Sequence, residues 1–445
     1  MTEKCTICGR ELGEAYRCPV CGFDRRGDFA VLRTLRPAGK MELFEYQMCR
    51  EREKLAQDGR ERKDLEPAVQ LKENGIKLAA QEGFVIRNGV LKKYTGNREK
   101  VSIPNGVTKI WPHAFQDNSK IAQVDIPQSV TNIGVGAFSG CTQLEAVTIP
   151  EGVKIIRDFT FYKCESLSRV IIPKSVKTIC FDAFAYCSSL KEVQLPEGLK
   201  EIDGFSDCSG LSNVIIPKSV ETIGSSAFSG CRSLKEVQLP EGLKEINGFT
   251  GCSGLSNVII PKSVETIGLY AFSGCRSLKE VQLPEGLKEI YGFSDCSGLS
   301  NVIIPKSVET IGYSAFSGCR SLKEVTIPER VKIIGLKAFS SCEGLIKVHI
   351  PASVETIRDE AFENCTGLTR VEFSEGVKSI KFIGCRAFHK CKKLETVLLP
   401  RSIDFISSDA FHGCGSLTEI LVPRGMKKRV KKMLSITLKG RVKEN

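Results

Sequence analysis

The sequence predicts a repeat solenoid whose coils carry short parallel β-strands, preceded by a small zinc ribbon and a charged, partly helical linker. Three observations predict it. Proline returns along most of the chain at a nearly constant step, phenylalanine and cysteine keep a fixed phase with it, and two Cys-x-x-Cys-Gly knuckles stand at the front. A period of about 20–50 residues marks a stacked architecture, in which each unit covers its apolar face only by packing on its neighbours.

The head comes first. Cys5-Thr-Ile-Cys8-Gly and Cys18-Pro-Val-Cys21-Gly are separated by nine residues. Each knuckle aims two thiolates at one point, glycine relieves the tight backbone, and the pair closes the tetrahedron of sulfurs that Zn2+ accepts. Residues 1–24 are therefore expected to hold one structural Zn2+ ion through Cys5, Cys8, Cys18 and Cys21, with no open coordination position for catalysis. A rubredoxin-like iron centre uses similar knuckles, but the nine-residue span is short for that domain. Without a metal, so short a stretch with few apolar residues would not fold unaided.

Residues 25–80 change composition. Met41, Phe44, Met48 and Leu55 have roughly helical spacing within a heavily charged run, residues 42–66, which Pro67 interrupts. The segment reads as a charged linker, or one helix whose weak apolar face could dock a partner helix, and Cys49 reads as a spare thiol.

Residues 81–423 are expected to form about fourteen coils of 21–26 residues. Proline recurs from Pro104 to Pro423 in steps of 23, shortened to 21 after Pro196, Pro240 and Pro284, with Ser374 taking one proline slot. From residue 196 to 327 a 44-residue double unit is written three times with few changes, the mark of duplication within this chain. One unit reads, from Leu234, L-K-E-V-Q-L-P-E-G-L-K-E-I, then a Gly-Phe turn and Cys252. Residues 234–239 are apolar at positions 1, 4 and 6 and should form a short strand. Copies one period away then lie beside it in register, as a parallel sheet winding into a coil. Residues 220–223 supply a second short edge, and proline between them ends the strand because it has no N–H for the ladder.

Phenylalanine fills the interior once per unit, fourteen times from Phe115 to Phe411. Each burial contributes roughly 1.5–3 kcal/mol. Cysteine occupies another slot thirteen times, from Cys141 to Cys414. Stacked Cα atoms about 4.8 Å apart fall within disulfide range. However, side chains in register point the same way, and cysteine behaves as a small apolar residue, so a buried ladder of free thiols in a reducing compartment is the simpler reading.

The pattern L-x-x-V-x-I/L-P-x-x-V-x-x-I-G-x-x-A-F-x-x-C resembles the repeat of bacterial leucine-rich repeat proteins of the BspA-like type, over roughly residues 82–438. Residues 82–96, E-G-F-V-I-R-N-G-V-L-K-K-Y-T-G, look like the cap before the first repeat, giving an expected cap at 82–103. The resemblance implies an α/β-poor leucine-rich repeat solenoid that binds a ligand or partner without a shared active site. Many members of the family are secreted or surface-exposed; this chain departs in its zinc-ribbon-like head and in lacking an export signal. Members commonly end with a short helix after a Val-Pro pair like Val422-Pro423. In residues 424–445, Met426, Val430, Met433 and Leu434 share one helical face among lysines, as a terminal cap requires; binding to an acidic surface is compatible with that role.

Charge narrows the function. The net charge is +12, but residues 101–423 hold 34 basic against 35 acidic residues, and residues 424–445 hold 9 against 1. A nucleic-acid binder using its body would carry a basic stripe there. There is no apolar run of about 18–20 residues and no apolar core of a secretory signal, so a cytoplasmic chain with no membrane span is expected. Only four histidines occur, with no His-Glu-x-x-His, no Gly-x-Ser-x-Gly and no phosphate-cradling glycine loop, so no enzyme is expected. His389 and His412 share a slot and should stack near Cys391 and Cys414, as surface turn residues or as a metal pair.

The resulting expectation is a non-enzymatic protein-interaction scaffold, with the zinc ribbon as an accessory module; the alternative is nucleic-acid association through the ribbon and the basic ends. In Leu-x-x-Val-x-Leu the residues flanking valine point outward. The outward positions of the tandem units, Ile215, Glu236, Gln238, Asn257, Ile259, Glu280, Gln282, Asn301 and Ile303, are the expected partner face. Strand propensity and duplication would also place isoleucine there, but a regular apolar column flanked by Glu and Asn fits a binding surface.

Overall fold

Alternating apolar residues, with a proline between the strands in all coils but the one at Ser374, put two short strands into each coil. The computed structural model describes residues 82–374 and 380–444; the zinc-ribbon and linker segments lie outside them. One coil runs through Glu236–Gln238, turns at Pro240, continues through Glu245–Ile246, and returns past Phe249 and Cys252. The next coil repeats this beside it, parallel and in register: Glu236, Val237 and Gln238 face Asn257, Val258 and Ile259, and Glu245 and Ile246 face Thr266 and Ile267. Pairing lapses between Asn257–Ile259 and Glu280–Gln282, although these strands remain neighbours.

The third side has no strand but is equally well hydrogen-bonded. The Phe249 N–H donates to the Ala271 carbonyl at 2.9 Å and the Phe272 N–H to the Gly292 carbonyl at 2.8 Å, so this side too is laced to the next coil. After each proline the chain turns tightly, the Val264 N–H donating to the Pro261 carbonyl at 3.2 Å. Backbone groups in a buried coil must find partners, and here they find them along the solenoid axis.

Inside, Val237, Leu239, Leu243, Ile246, Phe249, Cys252 and Leu255 of one coil are all buried. The phenylalanines stack as near-parallel rings, for example Phe249, Phe272 and Phe293 at 5.5 and 5.3 Å between centroids. Each cysteine thiol in the ladder donates to the carbonyl of the phenylalanine one coil back, as Cys252 does to Phe228 at 3.1 Å and Cys275 to Phe249 at 3.3 Å. Cysteine thus fills the slot with an apolar body and a weak donor that no aliphatic residue supplies.

Both ends are closed. At the front, Phe84–Arg87 and Val90–Tyr94 form an antiparallel hairpin, and the second strand pairs in parallel with Lys109–Ile110. Phe84 and Tyr94 carry the ring stack onward to Phe115, at 4.9 and 5.2 Å. At the back, the helix Lys427–Met433 buries Val430 over the last coil, with Met426, Leu434 and Leu438 also buried. The chain then adds a strand, Val442–Glu444, parallel to Glu419–Val422. Among the described residues, no helix is long and apolar enough to cross a membrane.

Candidate functional site

The sheet of three-residue strands presents two outward columns, because valine takes the inward position and its flanks face solvent. One column reads Glu192, Asn213, Glu236, Asn257, Glu280, Asn301. The other reads Gln194, Ile215, Gln238, Ile259, Gln282, Ile303. Register brings Ile215 beside Gln194 and Gln238, and Ile259 beside Gln238. Ile215, Ile259 and Ile303 are 75%, 62% and 65% exposed, far more than a β-branched residue that merely completes a core. They stand two coils apart, about 10 Å, with an amide between neighbours able to donate and accept. All nine residues expected on the partner face are exposed on this side of neighbouring coils.

The charged residues on the adjoining edge cancel. Lys200 pairs with Glu221, Lys244 with Glu265, and Glu309 with both Lys288 (3.8 Å) and Lys332 (2.9 Å). Hydrogen bonding and charge from Lys332, helped by Lys288, hold the Glu309 carboxyl below its usual range. This alternation follows from the double unit, which puts Lys at this slot in one half and Glu in the other.

Other sequence-derived sites fall elsewhere. Cys5, Cys8, Cys18 and Cys21 lie outside the described residues. Among the described residues, no group of three or more His, Cys, Asp or Glu is arranged to hold a metal ion. His389 and His412 stack as expected, rings 5.5 Å apart, and His389 Nδ1 shares a 2.8 Å hydrogen bond with Glu363. Burial pushes Cys252, Cys296 and Cys342 of the ladder up to about 12, so these three are poor nucleophiles and poor metal ligands. Two cations of the basic cap are paired back onto the solenoid, Arg429 with Asp404 at 2.7 Å and Lys443 with Glu419 at 2.5 Å.

One cluster gave no sequence signal. Phe159, Tyr162, Phe181 and Tyr186 meet edge-to-face on the turn side of two adjacent coils. The slots of Tyr162 and Tyr186 are otherwise small or polar, whereas that of Phe181 also holds Val135, Leu269 and Tyr313, so only the departure at the first two could have flagged the cluster.

The BspA type leucine-rich repeat region, six copies of the repeat, matches residues 86–204, 203–293, 290–418 and 378–438. A leucine-rich repeat protein from Bacteroides ovatus is similar in structure, with 28% identity and a TM-score of 0.64 over 80% of this chain and 94% of that one. A leucine rich cell surface protein from Faecalibacterium prausnitzii shows 27% identity and a TM-score of 0.41, covering 66% of this chain and 93% of its own. The leucine rich repeat protein of T. pallidum is 32% identical over 42% of this chain and 82% of its own, with a TM-score of 0.33. No curated protein matches the chain. With the repeat matched over most of its length and the coil seen in full, the chain belongs to the BspA-type leucine-rich repeat family.

Proposed function

We propose that the protein is a non-enzymatic interaction scaffold whose sheet face, centred on Ile215, Ile259 and Ile303 and flanked by Glu236, Gln238, Asn257, Glu280, Gln282 and Asn301, binds a protein partner. The exposure of three isoleucines in one register carries this reading. Desolvating them gives affinity, and the Gln and Asn between them give direction. Changing Ile215, Ile259 and Ile303 together to Lys should leave the melting curve nearly unchanged, since the side chains face solvent. It should also abolish recovery of the partner that the wild-type chain captures from native lysate. A folded triple mutant that recovers every partner at wild-type yield removes the sheet face from consideration.

The head is proposed as a zinc ribbon at residues 1–24, followed by a charged linker at 25–80, the solenoid at 81–423 and a basic cap at 424–445. The support is the pair of Cys-x-x-Cys-Gly knuckles at ribbon spacing. Protein purified without chelators is expected to carry one Zn2+ per chain by elemental analysis, and changing Cys5 and Cys8 together to Ser is expected to abolish it. A wild-type chain free of tightly held metal would sink the ribbon.

A further inference from the structure

The side of the coil that carries the Phe and Cys turns is mostly small. In the tandem units its outward slots hold residues such as Gly230, Gly274 and Gly318, glycines in the left-handed region that the turn before cysteine requires. Larger residues also stand at Leu269, Tyr270 and Tyr313, but in two earlier coils four aromatic rings come into contact. Phe159 takes the slot of Gly136 at φ 55°, and Tyr186 takes the slot of Gly140 at φ 61°. A bulky residue held there is strained. The rings form an unbroken strip, Phe181 to Phe159 to Tyr162 to Tyr186, with centroids 5.5, 5.6 and 5.5 Å apart at 77–83°. Phe181 and Tyr186 at its ends are 41% and 42% exposed. Four aspartates rim it: Asp158, Asp182, which accepts from the Ser206 hydroxyl, Asp203, which accepts from the Ser226 N–H at 2.7 Å, and Asp207. Lys163 and Arg157 also lie in this region.

We infer that this strip and its rim bind a lysine- or arginine-rich peptide segment of a partner, at a site separate from the sheet face. The chain's own chemistry points to a cation: the Lys163 ammonium already sits 5.3 Å from the Tyr162 ring centroid, the distance at which ring quadrupoles attract cations. Charge points the same way, because Asp182 and Asp207 act on both the Tyr162 and Tyr186 hydroxyls. Burial first, and then the neighbouring Asp182 and Asp158, push the Asp203 carboxyl up to about 7, and burial with the same group of aspartates raises the Tyr162 and Tyr186 hydroxyls. An arriving ammonium or guanidinium relieves this crowding. A neutral sugar could stack on the rings but would not relieve the carboxylates.

The test uses the full chain and a fluorescein-labelled dodecapeptide of alternating Lys and Gly, followed by fluorescence anisotropy at about 0.15 M salt. Parallel arms replace Lys by Glu, or the peptide by a neutral oligosaccharide. The Lys peptide should bind the wild type and the Glu peptide should not. The pair Phe181→Ser with Tyr186→Asn, and the pair Asp203→Asn with Asp207→Asn, should each weaken binding about fivefold or more. Asparagine is chosen at 186 and 207 because it accepts the left-handed backbone. Lys163→Gly, which restores the residue other coils use and frees the Tyr162 ring, should tighten binding by about twofold, an outcome that misfolding cannot imitate. Equal binding of the Lys and Glu peptides, wild-type affinity in either double variant, unchanged or weaker binding in Lys163→Gly, or oligosaccharide binding that needs the same residues would overturn the assignment.

Discussion

Single residues show which features follow from the repeat and which do not. The Phe and Cys ladders could be read directly, because a side chain in a fixed phase of a stacked coil must meet its copies. The thiol's bond to the phenylalanine carbonyl could not, because it depends on which carbonyl the turn tips inward. Asp203 is likewise silent in sequence. Asn247 and Tyr291 hold its slot in the next two short units, yet only Asp203 lies near both Asp158 and Asp182. Its carboxyl is raised to about 7 from 3.8, chiefly by burial. The folded state therefore holds a proton that the unfolded state has released. The stabilisation from this group is complete below pH ~4 and is lost as pH rises through ~7. Asp203→Asn, which keeps an acceptor for the Ser226 N–H, is accordingly expected to raise the melting temperature at pH 8 and to change it little at pH 4.5. Equal effects at both pH values would contradict the raised carboxyl.

At the scale of elements, the caps explain how an open stack of coils ends. The apolar spacing of Met426, Val430 and Leu434 was legible as one helical face, and all three are buried on the last coil. The strand Val442–Glu444 was not legible, since three residues carry no period; it forms because Glu419–Val422 would otherwise leave an unpaired edge. It also places Glu444, whose carboxylate accepts from the Gly425 N–H at 3.0 Å, near the start of a helix that has no side-chain cap of its own. Val430→Asp puts an unpaired carboxylate under the helix and should cost several kcal/mol locally. Hydrogen exchange is expected to rise over residues 396–444 and to stay at wild-type levels around Phe115. Uniform loosening along the chain would mean that the cap does more than cover its own coil.

For the whole solenoid, the near-identity of the tandem units has a direct thermodynamic reading. Each coil touches chiefly its two neighbours, so stability is close to a sum of unit and interface terms. Deleting residues 240–283 removes one 44-residue double unit and joins Leu239 to Pro284, recreating the K-E-V-Q-L-P-E-G junction already present. The shortened chain is expected to fold cooperatively with a melting temperature within a few degrees of the parent. Loss of cooperative melting would show that the units are not interchangeable. At this scale the sequence was most informative, since period, strand sites and the neutral body all survive as geometry. What it hid lies between coils, where aromatic residues far apart in the chain close into one strip.

The alternation of isoleucine and glutamine has one more consequence. Ile215, Ile259 and Ile303 sit in nearly the same surroundings, so a partner anchored on one of them finds equivalent footing after sliding two coils, about 10 Å, in either direction. Such a partner has three degenerate berths rather than one address. The degeneracy favours the bound state by about 0.6 kcal/mol of positional entropy and makes lateral exchange possible without full release. If this face binds a partner as proposed, one with two anchors at that spacing would instead be held in place, and its grip would depend on how many isoleucines are engaged at once.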